Sequence, residues 1–191
     1  MTTRWSKLSD SLRHHLLLAT PALDEGFFAG SVTYICEHGE SGAMGLVINQ
    51  PLDIELGDIL SHLDIETTDG PTIETVYAGG PVQCDSGFVL HRGGGVWDQS
   101  RPIADDIWLT TSRDVLSAIA AGNGPTDHLV ALGYAGWGPG QLEEELTDNS
   151  WLTVAADCHI VFELPTEDRL SAAAAKLGID IRLMSKQIGH A

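Results

Sequence analysis

Residues 133–145 carry the strongest hint of chemistry in this chain. Gly133-Tyr134-Ala135-Gly136-Trp137-Gly138-Pro139-Gly140-Gln141 links an apolar run to an acidic helix start. That is the outline of a strand–turn–helix whose backbone N–H groups hold an anion. The glycines at 136, 138 and 140 miss the dinucleotide fingerprint, and no Gly-Lys-Ser/Thr follows. Glu143, Glu144 and Glu145 occupy the helix start, where they favour the dipole and repel phosphate. A structural turn and a non-phosphate ligand cradle are the two readings left.

Two other turns resemble it in kind. Asn49-Gln50-Pro51 ends an apolar strand, and the Asn side chain there either satisfies free backbone groups or orients a ligand. Gly79-Gly80-Pro81-Val82 either packs backbone on backbone or lines a cleft. If the three turns converge, Asn49, Gly79, Gly80, Pro81, Gly136, Gly138, Gly140 and Gln141 surround a shallow groove with Trp137 as one wall. Trp97, just after Gly93-Gly94-Gly95, is the best candidate for an exposed interface anchor.

Other constellations fail on spacing. His14 and His15 point apart in any regular element, and Asp157-Cys158-His159 offers two ligands on one face if extended, short of a closed metal site. Cys84 and His91 form a nucleophile–base pair only with an exposed, activated thiol. No Gly-x-Ser-x-Gly elbow occurs. No catalytic residue, metal or cofactor is assigned. Cys36, Cys84 and Cys158 are an odd set without paired spacing, read as reduced thiols.

Ten basic against twenty-seven acidic residues give 10 − 27 = −17, and the bases are scattered. Duplex binding needs clustered Lys and Arg, so direct nucleic-acid binding is disfavoured and a basic protein partner is the easier fit. No apolar run nears the roughly 18 residues of a membrane helix, and the N-terminus lacks a signal-peptide pattern. A cytoplasmic location and no membrane association are expected.

Strands are expected at 16–18, 28–36, 46–48, 76–78, 87–91, 107–110, 129–134, 151–154, 160–162 and 180–184, with a polar turn at 37–42. Helices are expected at 54–63 with Asp53 as N-cap, from the capping-box-like 111–114 to about 121, at 141–146, and from 165–168 to Gly178. Residues 1–13 read as a loose lead-in and 14–186 as one domain. Short strands interleaved with helices, without a clean βαβ rhythm, predict an α+β or mixed α/β fold: a compact mixed β-sheet with flanking helices, divided into two interlocked lobes.

An ordered set of segments then identifies a resemblance. Leu17-Leu18-Ala19-Thr20-Pro21, Gly42-Ala43-Met44-Gly45-Leu46-Val47-Ile48-Asn49-Gln50-Pro51, Gly79-Gly80-Pro81-Val82, Gly87-Phe88-Val89-Leu90-His91, the 133–141 segment and Asn149-Ser150-Trp151-Leu152 together resemble the YqgE/AlgH family of bacterial proteins. The resemblance spans nearly all of 12–185 and implies an α/β unit with a mixed sheet. It carries a label of transcriptional regulator but brings no accepted catalytic residues. The expectation is a cytosolic, non-enzymatic regulatory or interaction protein with an indirect part in transcription, working through a protein partner or small ligand. The rival expectation is a small-molecule sensor or enzyme with its groove at the glycine-rich turns.

Overall fold

The computed structural model describes residues 11–68, 72–93 and 95–184. The expected lead-in therefore lies outside the described residues except for 11–13, as do Gly94 and the chain beyond 184. Strand β1 (His15–Ala19) is the uninterrupted apolar run near the start. It is followed by β2 (Val32–Gly39) and β3 (Gly42–Val47), a hairpin closed by Glu40 and Ser41 alone. The expected turn at 37–42 is shorter because β2 continues to Gly39. The strand also starts at Val32, four residues later than the expected Phe28, since Gly26 and Gly30 take positive φ and turn the chain before it.

Strand β4 (Pro51–Glu55) leads straight into helix α1 (Leu56–His62). The sequence alone predicts this helix from residue 54 with Asp53 as cap. Instead Glu55 is the N-cap, and Asp58 accepts a hydrogen bond from its N–H at 2.9 Å. The residues before it pair with β5 (Thr75–Ala78), and the N–H groups of Leu56 and Gly57 donate to Glu74 and Thr72. Tertiary pairing thus claims the residues that periodicity gave to the helix.

Next come β6 (Val82–Arg92), β7 (Ser100–Ala104), β8 (Ile107–Thr110), helix α2 (Arg113–Ala120), β9 (Asp127–Trp137), helix α3 (Gln141–Thr147) and β10 (Trp151–Ala155). β7 was not anticipated: it contains Pro102 and is an edge strand, where a missing N–H is tolerated. The glycine-rich 133–140 segment is mostly strand, because β9 continues to Trp137 and only 138–140 turn. The predicted strand at 160–162 is one turn of π-helix (His159–Glu163), whose start is held by Asp157 accepting from the His159 N–H. A 3₁₀ turn (Thr166–Asp168) then enters α4 (Arg169–Ala175). The last predicted strand is a short helix, α5 (Ile181–Met184).

The strands form one sheet in the order β10-β1-β2-β3-β9-β6-β8-β7, antiparallel throughout, with β5 parallel to β9 and β4 beside β5. The fold is thus α+β with a curled, largely antiparallel sheet and several helices. The curl brings distant strands together: Ile103 and Ile107 share a core with Leu16, Cys36 and Leu46, under the π-helix and α4. The guanidinium of Arg13 donates to the Pro102 carbonyl, and Arg101 pairs with Glu37. The other sheet face meets α1 and α2 through Leu56, Leu60, Val76, Val89, Val115 and Val130.

Candidate functional site

A hollow with an apolar floor lies on that second face, between α1 and α2. Cross-strand register places Val89 beside Thr110 and Val130, and Gly87 beside Leu132. Successive alternate residues share a face, so Gly87 stands in the same row as Val89. It has no side chain to fill the space, and a Cβ built there would meet nothing within 4 Å. The result is a cavity of about 550 Å³, floored by Val89, Val130 and Leu132 and walled by Ile59, Leu63 and Leu116. Asp58, His62, Asp85, Ser112 and Arg113 form its polar margin.

Local features hold this margin in place. Between Val82 and Gly87 the β6–β9 register slips, so residues 83–86 arch outward, with Gln83 at φ 49°. That bulge carries Asp85 to the rim. The Arg113 guanidinium donates to the Leu63 and Asp64 carbonyls, and the start of α2 thereby caps the end of α1. Thr111 and Asp114 do not make the expected capping box: Ser112 is the N-cap residue, with no side-chain cap bond. The Ser112 hydroxyl accepts from the Gln99 N–H, and Asp114 accepts from the Asp98 N–H. Burial works to raise the Asp114 pKa, but bonds from Ser112, Asp98 and Val115 outweigh it and hold the carboxyl below its ordinary range.

These contacts dock the Trp97 loop. Trp97 is half-buried rather than presented to solvent, and its ring meets His91 edge-on at 5.0 Å. His91 is fully buried, with Nε2 2.8 Å from the Thr110 hydroxyl, itself 2.6 Å from that of Ser100. Burial lowers the His91 pKa, so the ring is neutral. Cys84 is exposed on the bulge and donates its S–H to the Pro81 carbonyl at 3.4 Å. A buried, Thr-bonded imidazole and a thiol on an outward arch do not make a nucleophile–base pair.

The residues of the anticipated groove occupy separate places. A Cβ on Gly79 would stand 2.3 Å from the Gly133 carbonyl oxygen, and one on Gly80 would stand 1.9 Å from the Tyr134 carbonyl carbon. This turn, with Pro81 after it, therefore lies backbone against backbone on β9. Asn49 is spent on the preceding loop: Oδ1 accepts from the Val32 N–H at 2.8 Å and Nδ2 donates to the Gly30 carbonyl at 2.9 Å. Trp137 is buried, 6% exposed, in a cluster with Trp151, Phe28 and Leu142.

Around α3, Trp137, Gly138, Gly140 and Gln141 do meet. The Gly138 N–H donates to Gln141 Oε1 at 3.0 Å, and Gly140, at φ 75°, is the N-cap. The indole N–H groups of Trp137 and Trp151 both donate to Glu145 Oε2, at 2.9 and 2.7 Å, and Gln141 Nε2 donates to Oε1 at 2.9 Å. Glu145 is thus a clamp between β9, β10 and α3 rather than a charge at the helix mouth. Gly136 sits opposite Met44 in the β3–β9 ladder. His38 accepts from the Leu12 N–H through Nδ1, so its Nε2 donates to Glu143 at 2.9 Å. Among the described residues no group of three or more His, Cys, Asp or Glu is gathered as a metal site, and no helix is long and apolar enough to cross a membrane.

The cleft escaped the sequence reading, which took α1 as having one apolar face. Leu56 and Leu60 fill that face, while Ile59 and Leu63 form a second row one position round. No local signal separates the two pairs, since apolar residues at i, i+3, i+4 and i+7 make the ordinary core-facing stripe of a helix.

The full architecture recurs in a solved structure. AlgH of Pseudomonas aeruginosa, determined in solution, is 47% identical, with each chain wholly covered and a TM-score of 0.77. The AlgH-like family profile matches residues 16–182. The chain belongs to the AlgH-like family. Among its relatives, a UPF0301 protein of Thioalkalivibrio sulfidiphilus is 53% identical over 183 residues, covering 96% of this chain and 98% of that one. A UPF0301 protein of Saccharophagus degradans is also 53% identical, over 95% of this chain and 89% of its own. The fold extends further: the Corynebacterium diphtheriae protein DIP2367 superposes with a TM-score of 0.70 at 20% identity, covering 93% of this chain and 92% of that chain. The curled-sheet fold thus recurs where four in five aligned residues differ.

Proposed function

We propose that this AlgH-like protein is a non-enzymatic regulatory protein of the cytosol that works by receiving an apolar group of a binding partner in the α1–α2 cleft. The observation that carries this is the empty side-chain position at Gly87, which leaves an apolar hollow in a sheet face that two helices otherwise cover. Cavities of several hundred Å³ with an apolar floor and a few polar groups at the margin are the usual form of binding sites. A part in transcription would be indirect, because a net charge of −17 opposes duplex DNA. The two-lobe division belongs to the same reading. One lobe gathers around Trp137 and Trp151, the other beneath α1 and α2, with β9 common to both. A groove at Asn49, Gly79–Pro81 and Gly136–Gln141 has less support, since those side chains and backbones are largely committed to one another.

The test is a titration of the ¹⁵N-labelled protein with indole, an uncharged apolar probe, followed by amide shifts. Shifts confined to α1, α2, β6 and β9, and abolished by Gly87→Val, are expected. Val is a good strand residue and its Cβ has open space there, so the variant should fold. No saturable shifts, or shifts unchanged by Gly87→Val, would overturn the reading.

A further inference from the structure

The cleft does not end at its own walls. Asp58 also lines an adjoining hollow with Glu55, Asp64 and Glu66, and no basic side chain lines that hollow among the described residues. On another side Ile54 passes from the cleft into a shallow depression beside Ile73. Ile54 is 36% exposed and Ile73 is 78% exposed. An occupant matched to the whole surface needs an apolar group for the cleft, positive charge about a helix turn away, and enough length to cover apolar residues beyond the rim. A small molecule confined to the cavity leaves Ile73 in water, and a fatty acid or nucleotide brings negative charge to an acidic rim.

We infer that the cleft binds a basic peptide segment of a partner protein, an aliphatic or aromatic anchor entering between α1 and α2 while flanking Lys or Arg residues meet Asp85, Asp58 and the acidic hollow. The inference rests on the cleft being a binding site, as proposed above. Charge complementarity favours it at both scales. Asp85 has no hydrogen-bond or ion-pair partner among the described residues, whereas the nearby cation Arg113 is engaged with the Leu63 and Asp64 carbonyls. Over the whole chain, acids outnumber bases by 27 to 10. Such a surface attracts a basic segment from a distance and weakens its hold as salt rises.

Selection of displayed random 12-residue peptides on the folded protein tests this, with Gly87→Val as the counter-selected control. The expected enrichment is a Leu, Ile, Met or Phe anchor with Lys or Arg within four positions. A selected peptide should lose roughly tenfold in affinity, measured by fluorescence anisotropy, on Gly87→Val or on Asp85→Lys, as central anchors and opposed charges do. Enrichment of acidic or uncharged apolar peptides, or of none beyond the control, overturns the inference. The indole titration separates the two failures. Indole bound without basic peptides leaves a binding cleft with a different occupant, whereas no indole and no peptide removes the cleft reading as well.

Discussion

Replacing Glu145 should unpin the corner where β9, α3 and β10 meet, at a cost that can be worked out from its bonds. Glu145→Ala removes three acceptor bonds at once: two from the buried indoles of Trp137 and Trp151 and one from Gln141. A buried donor left without a partner costs about 1–3 kcal/mol, so two indoles set a ceiling near 6 kcal/mol. Glu145 is itself half-exposed, so water reaches part of the vacated space and the loss should settle at about 2–4 kcal/mol. With a urea slope of about 2 kcal/mol/M, that lowers the unfolding midpoint by roughly 1–2 M. Glu145→Gln is the informative control. Its amide oxygen can still accept from both indoles, while its NH₂ faces the Gln141 NH₂, so only about one neutral hydrogen bond, roughly 1 kcal/mol, is lost. The assay is urea unfolding by circular dichroism, together with the indole N–H resonances, of which those from Trp137 and Trp151 should move and the rest stay. A loss below about 0.5 kcal/mol in Glu145→Ala, the usual range for a surface substitution, would refute the clamp. Unmoved indole resonances would refute it equally.

Gly80→Ala should prevent folding or cost more than about 3 kcal/mol by thermal melt, because its Cβ collides with β9 backbone, whereas Gly138→Ala should fold with a loss under about 1 kcal/mol, its Cβ meeting only Gln141 Oε1 at 3.9 Å. Stability should fall between pH 7.5 and 5.5 as the unfolded chain takes up protons at His14 and His91, whose folded pKa values are lowered chiefly by burial. His128 opposes this: burial works to lower its pKa, but Glu74, 2.6 Å from Nε2, and the Pro125 carbonyl raise it overall. Its contribution is complete below the unfolded value of about 6.5 and is lost as pH rises through the folded one. Glu74→Gln should therefore steepen the acid-side decline in urea melts at stepped pH, and a flatter profile would contradict the assignment. Iodoacetamide should modify Cys84 first in the native protein and Cys36 only after unfolding, because Cys36 is wholly buried and burial pushes its thiol pKa up; mass spectrometry of the digests reads the order.

What was legible in the sequence had local causes. The apolar run of β1, the break at Gly122 after α2 and the helix after Gly140 are each set by neighbouring residues, and they fall where the pattern put them. Errors arose where distant chain intervened. Residues 51–55 became strand because β5 offers them a ladder. Residues 160–162, a β-branched and aromatic run that reads as a strand, became π-helix because Asp157 holds the His159 N–H and the core beneath takes Ile160 and Val161. The motif glycines were visible as special, but Gly79 and Gly80 serve backbone contact with β9, which no local pattern announces. Gly87, in an ordinary strand, is the glycine that leaves room in the cleft.

Strand β9 carries a consequence for how the chain is made. It pairs with β3 through 135–137, with β5 through 130–132 and with β6 along most of its length. Three earlier strands therefore wait, edges open, until residue 137 has left the ribosome, and β1 waits further for β10 at 151–155. A chain truncated before residue 127 would expose those edges to pairing with other chains. The nascent protein is thus most prone to aggregation, and most dependent on chaperones, until β9 and β10 have emerged.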